Sequence, residues 1–129
     1  MSKLNAINLI IAIGAFNAFL AIGTGAFAAH GLKDLLSVEY LNTFKTAADY
    51  QLIHGIGLIL IGLLSKFNPS RYNIIAATFM FIGIILFCGS LYLLTLTNTR
   101  WLGIITPFGG LFLLAAWLTL GFNYLFSKD

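Results

Sequence analysis

The sequence predicts an all-α membrane protein of four transmembrane helices in a left-handed antiparallel bundle, with a short interfacial helical segment between spans one and two. Three observations carry that expectation. Of 129 residues, 60% are hydrophobic and only 9% charged, where a soluble domain carries about 25% charged residues. A soluble fold of this size leaves much of its surface wet and could not hide so apolar a chain. The second observation is four runs without charge: Leu4–Leu32, Tyr50–Ser65, Tyr72–Thr99 and Trp101–Ser127. A membrane helix needs about 20 largely apolar residues. Three runs suffice directly, and the second does once extended upstream through Thr46–Asp49. The third observation is small residues recurring every seven positions, the spacing of left-handed crossings at roughly +20°. Residues 1–129 are therefore expected to form one domain, with spans near 5–28, 48–67, 72–97 and 101–126.

Span one ends in "GAFAAHGLKD" (25–34). Ala26-Phe27-Ala28 has the small-x-small form of a signal-peptidase site, and Lys3 supplies a positive start. A signal-peptide core is about 7–15 residues, and this run is nearly twice that. The expectation is a retained helix with His30 near its end. The connection to span two, "GLKDLLSVEYLNTFKTAADY" (31–50), is long. Ser37 can cap a helix with Glu39 in its first turn. Val38, Leu41, Phe44/Lys45 and Ala48 then recur at helical spacing. A continuous helix from Ser37 to Phe67 would be roughly 46 Å long at 1.5 Å per residue, more than the ~30 Å hydrocarbon core. Its first turns must protrude, tilt or bend onto the interface.

Two short turns follow. "KFNPSRY" (66–72) contains Pro69, which stops a helix, and "TNTRW" (97–101) links spans three and four. In span four, Thr106-Pro107 before Gly109-Gly110 reads as a helix start or a kink. The seven-residue series run Gly14/Ala21/Ala28, Ala48/Gly55/Gly62, Ala76/Gly83/Ser90/Thr97 and Gly109/Ala116. Close approach through small side chains is how helices associate in lipid.

Charge sets a weak orientation. With four spans both termini share a side, which holds Lys3, Lys66, Arg71 and Lys128, against Lys33, Lys45 and Arg100 on the other. The positive-inside rule then favours cytoplasmic termini. No Lys/Arg cluster points to nucleic acid. The single cysteine, Cys88, excludes an intrachain disulfide and a multi-cysteine metal site.

Antiparallel threading gathers the polar residues. The end of span one, the start of span two, the end of span three and the start of span four share one face. That face collects His30, Asp49, Tyr50, Gln51, His54, Ser90, Tyr92, Thr95, Asn98, Arg100 and Thr106, while the opposite half reads as almost wholly aliphatic. Polar groups at membrane depth are expensive and tend to face the bundle interior and mark function. The candidate ligand-binding cluster is His30, Tyr50, Gln51, His54, Ser90, Tyr92, Arg100 and Thr106. Each has a structural alternative: His30 can cap the carbonyls of span one, and His54 can be a hydrogen-bonded packing residue.

The blocks "GAFAAHGL" (25–32), "TAADYQLIHGIGLIL" (46–60), "FCGSLYLLTLT" (87–97) and "LGIITPFGGLFLLAAWLTL" (102–120) resemble, in order and over nearly the whole chain, the domain-of-unknown-function 423 family, which includes eukaryotic transmembrane protein 256. The resemblance carries over His30 and Gly31; Tyr50, Gln51 and His54; Gly89, Ser90, Leu91 and Tyr92; Thr106, Pro107, Gly109, Gly110 and Trp117. Ala28, Cys88 and Ala116 depart from it, each small for small. It implies a multi-pass protein of the bacterial inner (cytoplasmic) membrane and no activity.

Three function classes remain open. The first is a non-enzymatic protein that binds a lipid or quinone, or serves as an accessory subunit of a larger membrane complex. The second is a small oligomeric transporter or channel, against which no carboxylate lies at mid-bilayer. The third is a haem or metal redox protein using His30 and His54, whose depths match poorly. No catalytic residue, metal site or cofactor is assigned. The expected partners are membrane lipids, with a larger complex or self-association beside them.

Overall fold

Serine hydroxyls open three of the helices. Ser2 accepts from the Asn5 amide, Ser37 from Tyr40 and Ser70 from Tyr72, each satisfying an otherwise orphaned donor. The computed structural model describes residues 2–127; Lys128, which enters the charge balance above, and Asp129 lie outside them. The elements are α1 (Lys3–His30), α2 (Val38–Phe67), α3 (Arg71–Gly83), a π-helical stretch (Ile84–Gly89), α4 (Ser90–Thr97), a 3₁₀ segment (Arg100–Ile104) and α5 (Thr106–Leu125). No strand occurs among the described residues. Lys3–His30, Val38–Phe67, Arg71–Thr97 and Arg100–Leu125 are each long and apolar enough to cross a membrane.

The second span carries the helix expected from Ser37 onward. The interfacial segment is continuous with it, and α2 runs unbroken for 30 residues, roughly 45 Å. Its extra turns are held by packing. Phe44 is buried with Ala28 and Leu32 and meets the Tyr92 ring edge-on at 4.9 Å. The Tyr40 hydroxyl donates to Asn98 Oδ1 at 2.7 Å. Asn98 has φ 52° and ends α4 in the left-handed region, which Asn tolerates.

The third span is not one regular α-helix. The six residues Ile84–Gly89 are wound as a π-helix, which nothing in the apolar pattern announces. The fourth begins with the 3₁₀ segment, and α5 starts at Thr106 with Pro107 in its first turn, so the Thr-Pro-Phe-Gly-Gly stretch is a helix start.

α1 packs on α2 and α3 on α5, and α2 joins the two pairs through α3. The small residues lie at these contacts. A methyl group on Gly14 would sit 2.6 Å from the Gly55 carbonyl oxygen, and one on Gly55 would sit 2.9 Å from the Ala18 amide nitrogen. Ala21, Ala28, Ala48, Ala76, Gly83, Ser90, Gly109 and Ala116 are all buried. Thr97 breaks the series: it is exposed, because α4 ends there and its hydroxyl bonds Leu93 O and Thr99 Oγ1 instead. Leu58, Ile61, Met80, Ile84, Cys88 and Leu113 fill the centre. Large apolar side chains such as Phe16, Phe19, Leu114 and Leu118 face outward, as lipid as solvent permits.

Candidate functional site

One hydrogen-bonded chain crosses three spans. Asn17 on α1 donates from Nδ2 to its own helix, to Ile13 O at 2.9 Å. Its Oδ1 accepts from Gln51 Nε2 on α2 at 3.1 Å. Gln51 Oε1 accepts from the Tyr92 hydroxyl on α4 at 2.7 Å, and that oxygen lies 3.0 Å from Thr24 Oγ1, back on α1. Tyr92 donates its single proton to Gln51, so the one Thr24 hydroxyl proton is shared between Tyr92 Oη and Ala21 O, 3.1 Å away. Every polar atom finds a partner, the condition for burying polar groups in an apolar medium. Gln51 is buried and Asn17, Thr24 and Tyr92 half-buried.

His54 belongs to a second group. Trp117 Nε1 donates to His54 Nε2 at 3.1 Å. Indole N–H can only donate, so Nε2 is unprotonated and the ring proton sits on Nδ1, which donates to Tyr50 O at 2.6 Å. His54 is thus a neutral imidazole with both nitrogens used inside the fold. Tyr50 stacks on Phe87 of the π stretch with centroids 4.6 Å apart and on His54 at 5.8 Å. Beside them lies a crevice of about 440 Å³ walled by Tyr50, His54, Phe87, Pro107, Gly110 and Trp117. Exposed Leu111 and Leu114 at its edge place its opening toward lipid. The Tyr50 hydroxyl is bonded to none of the described residues, and Tyr50 is 41% exposed.

Ser90 and Thr106 form a third contact. Their hydroxyl oxygens are 2.6 Å apart, Ser90 also reaches Phe87 O at 3.0 Å, and the pair pins α4 to the start of α5. Of the eight candidate residues, Gln51 and Tyr92 share the crossing chain, Tyr50 and His54 the crevice, and Ser90 and Thr106 this contact. His30 and Arg100 are exposed and stand outside all three, as does Asp49.

Asn17, Thr24 and the Trp117–His54 bond are absent from the cluster read in the sequence. A signal existed for two of them: Asn17 and Thr24 lie seven apart in an otherwise apolar run, on the stripe that faces α2. The opposite half of the bundle is also not aliphatic. Asn73 is fully buried there, donating to Asn68 O at 3.1 Å and Tyr124 Oη at 3.3 Å. Its Oδ1 accepts from Asn123 at 2.9 Å, and Asn123 in turn accepts from Ser70 at 2.9 Å. Asn73 and Asn123 each stand near a span end, and the fold brings them together.

Four long apolar helices tied by buried polar bonds at both ends define a small polytopic membrane protein. Residues 24–110 match the family described as "Protein of unknown function (DUF423)", and the chain belongs to that family. The matched segment includes all eight candidate residues. The chain is 48% identical over 112 residues to a UPF0382 membrane protein of Staphylococcus epidermidis, covering 87% of this chain and 91% of that one. A UPF0382 membrane protein of Staphylococcus saprophyticus is 46% identical over 87% of this chain and 92% of its own. The Bacillus subtilis UPF0382 membrane protein YwdK is 40% identical over 85% of this chain and 90% of its own. No solved structure matches the chain.

Proposed function

We propose that this is a non-enzymatic protein of the bacterial inner membrane that holds the ring end of a quinone-class amphiphile in the crevice beside Tyr50, with the ligand's tail in the bilayer. The observation that carries the reading is the crevice itself: stacked aromatics Tyr50 and Phe87 on one side, Trp117 on another, the small Pro107–Gly110 turn between, and a tyrosine hydroxyl with no partner among the described residues. Apolar walls with a few polar groups are the usual form of a small-molecule site, and a flat ring suits aromatic walls. His54 acts as a scaffold that fixes Trp117 and the Tyr50 turn. Both its nitrogens are engaged, so haem or metal ligation would require breaking an internal bond. The axis filled by Leu58, Ile61 and Met80 weighs against a channel through one copy. Lys3, Lys66 and Arg71 at the end that carries the termini support cytoplasmic termini, which puts the crevice toward the opposite leaflet.

Trp117 is a built-in reporter. In a Trp101→Phe background it is the sole tryptophan, since the chain has two. Titrating a menaquinone into the protein in lipid discs should quench its emission saturably, and Tyr50→Phe should weaken the apparent affinity about tenfold, a typical loss for one hydrogen bond to a buried partner. Absence of saturable quenching in the folded protein, with nothing ring-bearing in its lipid extract, would sink the reading.

A further inference from the structure

A second recess lies at the other end of the bundle, apart from the aromatic crevice. Because α1 packs on α2 and α3 on α5, a groove is left between α1 and α3 with α2 as its floor. It contains two connected hollows. The outer one, about 510 Å³, is lined by Ser2, Lys3, Ser65, Pro69 and Arg71 together with Ile7 and Ile75. The inner one, about 260 Å³, continues along Ile10, Ile13, Leu58 and Phe81. Ala6 and Ile74 line both, so they form one trough.

Its chemistry is graded. Lys3 and Arg71, both exposed, stand at the mouth, and among the described residues no carboxylate lines either hollow. Among the described residues the acids are Asp34, Glu39 and Asp49, all of the opposite end of the bundle; Asp129 lies outside the described residues. Arg71 is steadied over the Tyr72 ring, 5.0 Å from its centroid, with Nη2 donating to the Tyr72 hydroxyl at 3.1 Å. Below the mouth the walls are aliphatic. From Lys3 to Ile13 along α1 the trough descends roughly 15 Å, half the ~30 Å hydrocarbon core. Cations at headgroup level above an apolar slot one leaflet deep match a molecule with an anionic head and a long acyl chain.

We propose that the α1/α3 groove binds one anionic phospholipid, its phosphate between Lys3 and Arg71 and an acyl chain along the Ala6–Ile74 trough. A zwitterionic lipid would bring its own ammonium to the two cations and so gain less from them, and a free phosphate ion would leave the slot unfilled. The groove does not involve Tyr50 or Trp117, so this proposal and the quinone reading fail independently.

Native mass spectrometry of the full chain in mild detergent tests it, with equal amounts of phosphatidylglycerol and phosphatidylcholine of the same chain length. The wild type should retain phosphatidylglycerol preferentially. Lys3→Gln/Arg71→Gln should lose about 30-fold of that preference, the weight of two cations near an anionic headgroup. Lys3→Arg/Arg71→Lys and the opposite-end pair Lys33→Gln/Lys45→Gln should keep it. Ala6→Trp blocks the trough without removing charge and should abolish retention of the long-chain lipid; this variant decides the matter if the double Gln variant does not fold. Inorganic phosphate at the same concentration should not displace the lipid. Equal retention of the two lipids by the wild type, full preference in folded Lys3→Gln/Arg71→Gln, unchanged retention in Ala6→Trp, displacement by phosphate, or a dimer that excludes lipid would each overturn it.

Discussion

Gly109→Ala is the sharpest probe of how the last two spans meet. The methyl group would collide with the Phe87 amide nitrogen and sit 2.7 Å from Phe87 Cα and 2.8 Å from the carbonyl carbon of Leu86. All three are backbone atoms, so no rotamer change relieves the contact; the π stretch or the whole of α5 must shift. Overpacking of this kind costs about 1–3 kcal/mol. Alanine returns about 1 kcal/mol of helix propensity over glycine. The net expectation is a loss of up to about 2 kcal/mol. Gly23 is the control. Nothing lies within 4 Å of a methyl group there, so Gly23→Ala should gain about 0.4–1 kcal/mol by restricting the unfolded chain. The two single-methyl variants should differ by about 2 kcal/mol in opposite directions. Thermal unfolding followed by helical circular dichroism, in one detergent, reads the ranking. If Gly109→Ala melts at or above the wild type, the close approach of α5 to the π stretch does not hold the bundle together.

Tyr92→Phe removes the donor to Gln51 Oε1 and the acceptor for Thr24; it should cost about 1 kcal/mol, within the range for interhelical hydrogen bonds in membranes, and destabilise visibly more than Tyr40→Phe in the same melts. Asn73→Leu removes the acceptor for Asn123 Nδ2 and the donor to the Tyr124 hydroxyl at the other end, while Asn123 keeps its bond from Ser70; the cost of an unmet buried polar group is about 1–3 kcal/mol, and a melt equal to wild type would show that water satisfies that cluster. Single cysteines at Asn68 and Asn98, in a Cys88→Ala background, should be labelled by an impermeant reagent from opposite faces of oriented vesicles, and labelling from one face would refute the threading.

The fold was readable because lipid imposes one dominant rule, long uncharged helices, and the chain obeys it four times. The small-residue series were readable for the same reason: without a hydrophobic gain between helices, contacts must be close. Polar pairing was readable only where parity forced it. Gln51 and Tyr92 lie on the expected face and meet there, but Asn17 and Thr24 hide inside a run judged apolar by its lack of charge. Whether their side chains face α2 or lipid depends on helix rotation, which a low-amphipathicity span does not encode. Asn73 and Asn123 were missed because each alone resembles a wet helix end, and only the fold shows Asn73 fully buried. His30 and Arg100 illustrate the reverse: parity puts them on the polar face, yet their places at the end of α1 and the start of the 3₁₀ segment leave them exposed. The π-helical turn has no sequence signature at all, since Ile84–Gly89 is as apolar as its surroundings.

That π turn links packing to the crevice. Its backbone at Leu86 and Phe87 is pressed by Gly109, and its ring at Phe87 is stacked on Tyr50 and lies 3.8 Å from where a side chain on Gly110 would begin. One residue therefore joins the tightest helix contact to the wall of the proposed ligand site. π-bulges are frequent at functional sites because an inserted residue re-aims its neighbours at the expense of regular bonding. Here the re-aimed residue is Phe87. A methyl group at Gly109 should then act on the crevice as well as on stability, by pushing Phe87 away from Tyr50. At Gly23, on α1, the same methyl group meets nothing within 4 Å and should leave the crevice unchanged. In the Trp101→Phe background, folded Gly109→Ala should lose menaquinone quenching of Trp117 while folded Gly23→Ala keeps it. If the two variants bind alike, the π turn serves the helix contact alone and the crevice is shaped by Tyr50, His54 and Trp117 without it.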